Sequence, residues 1–136
     1  MLPTDAAARK AVPLATGVLD YFPDALAAVA ECSKAGNDQH NPGKPLHWAR
    51  AKSGDEADAL LRHLMDRGTF DTDGIRHSAK VAWRALALLQ KELEEAGAPL
   101  ARGARAAGFT LHEAVSLQAR PEPVRLNLPD NEHDGS

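Results

Sequence analysis

The sequence predicts an all-α fold, a small helical bundle of three main helices, and three observations carry that expectation. Alanine and leucine dominate the apolar residues while aromatic residues are only 4% of the chain, so strand-forming side chains are scarce and helix formers abundant. Apolar positions recur at three- and four-residue spacing in three stretches. Between those stretches stand helix-stop signals: Gly36-Asn37, Gly68, and Gly97 followed by Pro99.

The totals bound the rest. A chain of 136 residues, 43% of them hydrophobic, is one ordinary domain with a modest core. A formal net charge of −3 provides no general basic field, which disfavours a nucleic-acid polymer as partner. The single cysteine, Cys32, cannot close an intramolecular disulfide and points to a reducing compartment. No stretch approaches the length of an apolar membrane span and no signal-peptide pattern opens the chain. A soluble, cytoplasmic protein is expected, without membrane attachment.

Taken in order, residues 1–20 are expected to be an extended lead-in, because Pro3, Pro13 and Gly17 discourage a long helix. A first helix begins at Pro23 and runs to about Ala35, burying Leu26, Val29, Ala30 and Ser33. Residues 37–52 form a long loop holding two prolines, two histidines and Trp48, and connections of that length are usually functional. Ser53-Gly-Asp-Glu56 fits a capping box. It opens a second helix that runs to about Asp66 with an apolar stripe of Ala57, Leu60, Leu61, Leu64 and Met65, bordered by Glu56 and His63. After a short acidic turn, a third helix runs from about Gly74 to Glu95 and buries Ile75, Ala79, Val81, Ala82, Leu86, Leu89 and Leu93. The helical domain thus covers residues 21–97. A short helical extension is expected over 98–119, and the proline-rich, acidic end over 120–136 is expected to be disordered.

Chemistry concentrates in the middle of the chain. Four of the six histidines, His40, His47, His63 and His77, lie within 38 residues, together with Asp55, Asp58, Asp66, Asp71 and Asp73. Carboxylates and imidazoles are ligands of divalent metals, and oxygen-rich sets suit Mg²⁺ or Mn²⁺. Asp55 and Asp58 are three apart and share a helix face, so they are the first candidates for a metal site, with Glu31 and Asp73 as further ligands and His63 as a catalytic neighbour. Acidic residues in a first turn also complement the helix dipole, and Asp71 and Asp73 also suit a helix cap. His77, Lys80 and Arg84 are spaced i, i+3, i+7, with Lys91 further along the stripe, on the face expected to lie opposite the core. Such a column of donors is what a polyphosphate requires, although a solvated basic face has the same pattern. Lys34, Asn37, Gln39 and His40 offer hydrogen bonds from the end of the first helix, and Trp48 either stacks on a base or anchors its loop. The loop is not a phosphate-binding P-loop, and neither a cysteine-based zinc spacing nor a nucleophile elbow is present.

Several longer stretches carry a resemblance. They are Tyr21-Phe22-Pro23-Asp24-Ala25, then Ser33-Lys34-Ala35-Gly36-Asn37-Asp38-Gln39-His40-Asn41-Pro42-Gly43, then Leu46-His47-Trp48. Further on come Asp58-Ala59-Leu60-Leu61-Arg62-His63-Leu64, Asp71-Thr72-Asp73-Gly74 and Arg76-His77-Ser78-Ala79-Lys80-Val81-Ala82-Trp83-Arg84. Together, over roughly residues 15–95, they resemble the phage-borne dATP/dGTP diphosphohydrolase family. The resemblance implies a helical enzyme akin to all-α NTP pyrophosphatases of the MazG-like type, which use carboxylates on adjacent helices to hold Mg²⁺ and release pyrophosphate. That pattern's E-E-x-x-E is absent here. The first helix offers only Asp24 and Glu31, and the second offers Asp55-x-x-Asp58, so a working site would be rebuilt with His63, Asp73 and His77.

The expected function is therefore metal-dependent hydrolysis of purine dNTPs, with Mg²⁺ or Mn²⁺ as cofactor and a homo-oligomer as the working form. The alternatives are a non-catalytic protein that sequesters a nucleotide, such as a signalling nucleotide in a phage–host contest, and a purely structural helical domain.

Overall fold

Three long helices set the architecture in the computed structural model, which describes residues 2–50 and 54–104. Helix α1 spans Ala6–Lys10, α2 Pro23–His40, α3 Glu56–Met65 and α4 His77–Glu95, with a π-type turn over Ala15–Leu19 and a 3-10 turn over Arg102–Ala104. Among the described residues no strand forms, only an isolated antiparallel bridge between Phe70 and Arg76. The all-α expectation holds. Ser53 of the expected capping box, most of the expected C-terminal extension and the expected tail lie outside the described residues.

Residues 2–20 do not form the expected extended lead-in. Asp5 caps α1 by accepting from the Ala8 N–H at 2.9 Å, and the Asp20 N–H reaches the Ala15 carbonyl at 2.8 Å to close the π-type turn. Both elements are short, as Pro13 and Gly17 lead one to expect, and neither buries a side chain.

Helix α2 starts with Pro23 in its first turn and runs five residues past the expected stop. Gly36 and Asn37 are buried rather than terminal. The Asn37 carboxamide donates to the Lys44 carbonyl and accepts from the His47 N–H, each at 3.1 Å, so the helix continues while the following loop folds back over it. The buried line is Cys32, Gly36 and Asn37; Leu26, Val29 and Ser33 are only half-buried and Ala30 is exposed. With Trp48, Trp83 and Leu89 they line an open apolar groove of ≈ 470 Å³ instead.

The largest departure concerns which faces of α3 and α4 turn inward. Helix α4 packs against both α3 and α2. The buried residues of α3 are Glu56, Ala59 and His63, and those of α4 are Ala79, Lys80, Arg84 and Ala87. Of the expected apolar stripes only Ala79 is buried and Leu60, Ile75, Val81 and Ala82 are half-buried, while Leu61, Leu64, Leu86, Leu89 and Leu93 are exposed and Met65 is 81% exposed. The basic column expected on the solvent face is inside, with Lys80 and Arg84 each only 2% exposed. The physical reason is size and charge balance. Alanines at the contacts let the helix backbones approach closely, and the long cationic side chains meet partners there. Lys80 bonds Asp71 and Asp73, Lys91 bonds Glu56 at 3.0 Å, and Arg84 stands 3.9 Å from Asp55.

The loop before α3 is anchored, as its embedded Trp48 suggested. Arg50 forms a two-pronged ion pair with Glu94, which also accepts from Gln90 at 2.8 Å. Trp48 meets Trp83 edge-on at 5.2 Å and carries the Arg50 guanidinium 4.7 Å from its ring centre.

Candidate functional site

The site is built by the turn that joins α3 to α4. Gly68 (φ 83°) and Gly74 (φ 80°) take left-handed conformations that other residues rarely adopt, and they bracket a tight acidic loop. Inside it the Asp71 N–H donates to the Ile75 carbonyl at 2.8 Å and the His77 N–H to the Thr69 carbonyl at 3.1 Å. The turn folds α4 back along α3, so a histidine near the end of one helix faces the first residue of the next. His63 Nδ1 and His77 Nδ1 are 2.9 Å apart, with ring centres at 5.1 Å.

Asp71 completes the group. One ligand atom each from His63, Asp71 and His77 lies within 4.8 Å of the others, the one such group of three among the described residues. Two imidazoles and a carboxylate are suitable donors for a divalent ion. The Asp71 carboxylate is held in place, because Oδ1 accepts from the Thr72 N–H at 2.7 Å and Oδ2 from the Lys80 ammonium at 2.7 Å. Lys80 also donates to Asp73 at 2.8 Å, and Asp73 accepts from the Ile75 N–H at 3.0 Å.

The electrostatics follow from this packing. The hydrogen bond from Lys80, with that from Thr72, pulls the Asp71 carboxyl down to about 2. Burial works to raise Asp73, but the bonds from Lys80 and the Ile75 N–H outweigh it and hold that carboxyl low. Burial opposes the Lys80 charge, while Asp71 and Asp73 overcome it and raise the ammonium's pKa. Burial first and the nearby Lys80 charge second lower the pKa of His63, which disfavours its protonated form. Cys32 is pushed up to about 11, chiefly by burial, and is an inert core thiol at neutral pH.

Of the residues singled out in the sequence, the structure unites His63, His77, Lys80 and Asp73 around Asp71. Asp55 and Asp58 stand exposed at the start of α3, with Asp55 3.1 Å from Arg62, and Glu31 is exposed on α2. These three do not share a three-ligand group among the described residues. Arg84 is buried beside Trp83, its guanidinium 5.6 Å from that ring. Lys34, Gln39 and His40 lie exposed on the last turns of α2, with Lys34 paired to Asp38. Asn37 and Trp48 pin the loop. Asp71, one of the acidic residues of that region and a capping candidate in the sequence, was not among the first candidates for a metal site. Its signal was the pair of glycines around it, which forces a reversal between two histidine-bearing helices.

The fold and site define an all-α domain with a His/Asp group at a helix–turn–helix reversal whose donor atoms stand close enough to hold a metal ion. The chain belongs to the dATP/dGTP diphosphohydrolase family: the family model described as dATP/dGTP diphosphohydrolase, N-terminal, matches residues 3–99, somewhat wider than the motifs alone indicate. Searches of the curated proteins and of the solved structures returned no match. Among the described residues, no helix is long and apolar enough to cross a membrane.

Proposed function

We propose that the chain is a metal-dependent diphosphohydrolase acting on purine deoxynucleoside triphosphates. The observation that carries this is a His63–Asp71–His77 group inside a chain whose family is named for dATP and dGTP hydrolysis. In the reaction, water adds to the α-phosphorus, the bond to the bridging oxygen breaks, and pyrophosphate leaves with the nucleoside monophosphate as second product. A divalent ion, when bound, supplies charge neutralisation of the phosphates and a more acidic water. Three protein donors leave positions on such an ion open for substrate and water.

The chain's own residues orient that chemistry. Asp71 is fixed by Thr72 and Lys80, and the burial of His63 disfavours its protonated form. The exposed Lys34, Gln39 and His40 are the proposed contacts to the base or sugar, and the Asp55–Asp58 pair at the start of α3 is a second place for Mg²⁺ or Mn²⁺ to accompany the phosphates. Chelator-treated protein incubated with each dNTP and Mg²⁺ or Mn²⁺ is expected to release pyrophosphate faster from dATP and dGTP than from dCTP and dTTP. Absence of release from all four with Mg²⁺ or Mn²⁺, with or without added Zn²⁺ or Co²⁺, refutes the proposal.

One observation favours a second reading. Lys80 already balances Asp71 and Asp73, which lowers the site's charge for a catalytic ion and suits a protein that sequesters a nucleotide. Recovery of the nucleotide unchanged from a tight complex would select that reading.

The outward leucines of α3 and α4 support a homo-oligomer as the working form, since an exposed apolar face of this kind marks an interaction surface. Light scattering after gel filtration is expected to give a multiple of the monomer mass, and Leu89→Glu to reduce it. A wild-type monomer at high micromolar concentration would remove the oligomer from the proposal.

A further inference from the structure

The donor set at the α3–α4 turn is chemically selective, and that selectivity carries more than the presence of an ion. Magnesium demands near-octahedral oxygen ligands and sheds water reluctantly. Imidazole nitrogens suit the borderline first-row ions, for which three protein donors with open positions are a familiar catalytic arrangement. Here two of the three donors are imidazoles. Their Nδ1 atoms converge to 2.9 Å, a hydrogen-bond contact in the metal-free protein that gives way when one ion takes both lone pairs. His63 is only 7% exposed, so the packing of α3 against α4 fixes where its ring stands.

The third donor is restrained in the same sense. Both oxygens of Asp71 already accept a bond, one of them from the buried Lys80 ammonium. The carboxylate is thereby oriented, as ligands of metal sites usually are, but part of its charge is spent. Hard ions rely on carboxylate charge, whereas ions bound through nitrogen depend on it less.

We propose that His63, Asp71 and His77 bind a borderline first-row transition ion such as Zn²⁺, Co²⁺ or Fe²⁺ in strong preference to Mg²⁺. This rests on the hydrolase reading only for its purpose, since the site itself is defined by the donors. In that reading the ion at the turn serves the reaction centre, and Mg²⁺ enters with the nucleotide.

The test uses the full chain, stripped with a chelator and titrated by calorimetry with CoCl₂, ZnCl₂ and MgCl₂. One Co²⁺ or Zn²⁺ per chain is expected, at least 100-fold tighter than Mg²⁺, and His77→Ala or Asp71→Asn is expected to weaken Co²⁺ binding more than 10-fold. The wild type gives a readout that does not depend on a variant folding. Paramagnetic Co²⁺ is expected to shift and broaden the imidazole NMR signals of His63 and His77 before that of His40. A first effect centred on another histidine, or Mg²⁺ competing with Co²⁺ at equal concentration, overturns the assignment. Failure of this site and failure of the hydrolase reading separate cleanly. Mg²⁺-driven turnover that survives in His77→Ala with no Co²⁺ at His63 removes the site alone. Site-specific Co²⁺ binding without turnover of any dNTP upholds the site and removes the hydrolase.

Discussion

Lys80→Met is expected to lower the unfolding free energy by about 3–5 kcal/mol, the usual cost of removing one partner of a buried ion pair. The ammonium is 2% exposed and donates to two carboxylates, Asp71 at 2.7 Å and Asp73 at 2.8 Å. Methionine fills much of the same volume, so the loss reports charge rather than a cavity. Without the ammonium the two carboxylates face one another in a partly buried turn, and each repels the other. Those carboxylates are 21% and 28% exposed, enough for water to soften the penalty but not to remove it. Thermal unfolding of chelator-treated protein should show the midpoint falling by about 10 °C or more, with Lys80→Arg falling less because it keeps the charge. A midpoint for Lys80→Met within about 2 °C of wild type would mean that the ion pair does not contribute. The variant should also gain more from added Zn²⁺ than wild type does, because a cation then replaces the one removed.

The second large effect is acid sensitivity of the metal-free protein, and three groups, His63, Asp71 and Asp73, act in the same direction. His63 has a folded pKa below its ordinary value, so its contribution is complete above about pH 6.5 and is lost as pH falls, when the unfolded chain takes a proton that the folded one refuses. Asp71 has a folded pKa of about 2 against an ordinary 3.8. Its contribution is complete well above pH 3.8 and is lost as pH falls towards 2, amounting to about 2 kcal/mol. Urea unfolding of chelator-treated protein at pH 7, 5 and 3 should show two successive losses. Asp71→Asn should shrink the lower step, of which Asp73 keeps a part through its own bond to Lys80, and leave the upper one. A wild-type curve that is flat between pH 5 and 3, or an unchanged lower step in Asp71→Asn, would show that Asp71 is not held by Lys80 in solution.

Much of the fold was legible because helix signals are local. Pro23 marks the start of α2, Gly68 and Gly97 mark the ends of α3 and α4, and periodicity identifies the three long helices. What periodicity does not contain is the direction a helix turns relative to its neighbours. On α3 and α4 the stripe of leucines and the stripe of alanines with charged residues are both helically spaced, and hydrophobicity alone assigns the leucines to the interior. The charged stripe won the interior because each of its cations has a carboxylate within reach, and such pairing is a tertiary fact. Asn37 misled for a related reason. It suits a helix end by propensity, yet its carboxamide is worth more holding the loop at Lys44 and His47. The site was half legible: His63, His77, Lys80 and Asp73 stood out by residue type, while the central place of Asp71 depended on the reversal at the turn.

That reversal also bears on when the centre forms. His63 and His77 are separated by 14 residues and meet in direct contact, whereas the Arg50–Glu94 pair spans 44. Contacts close in sequence cost little chain entropy and generate rapidly, while distant ones wait for the rest of the molecule. The α3–turn–α4 hairpin therefore has what it needs to bring His63 and His77 together early in folding, before the Trp48 loop is clamped down. An ion captured at that moment would act as a nucleus for the remaining chain.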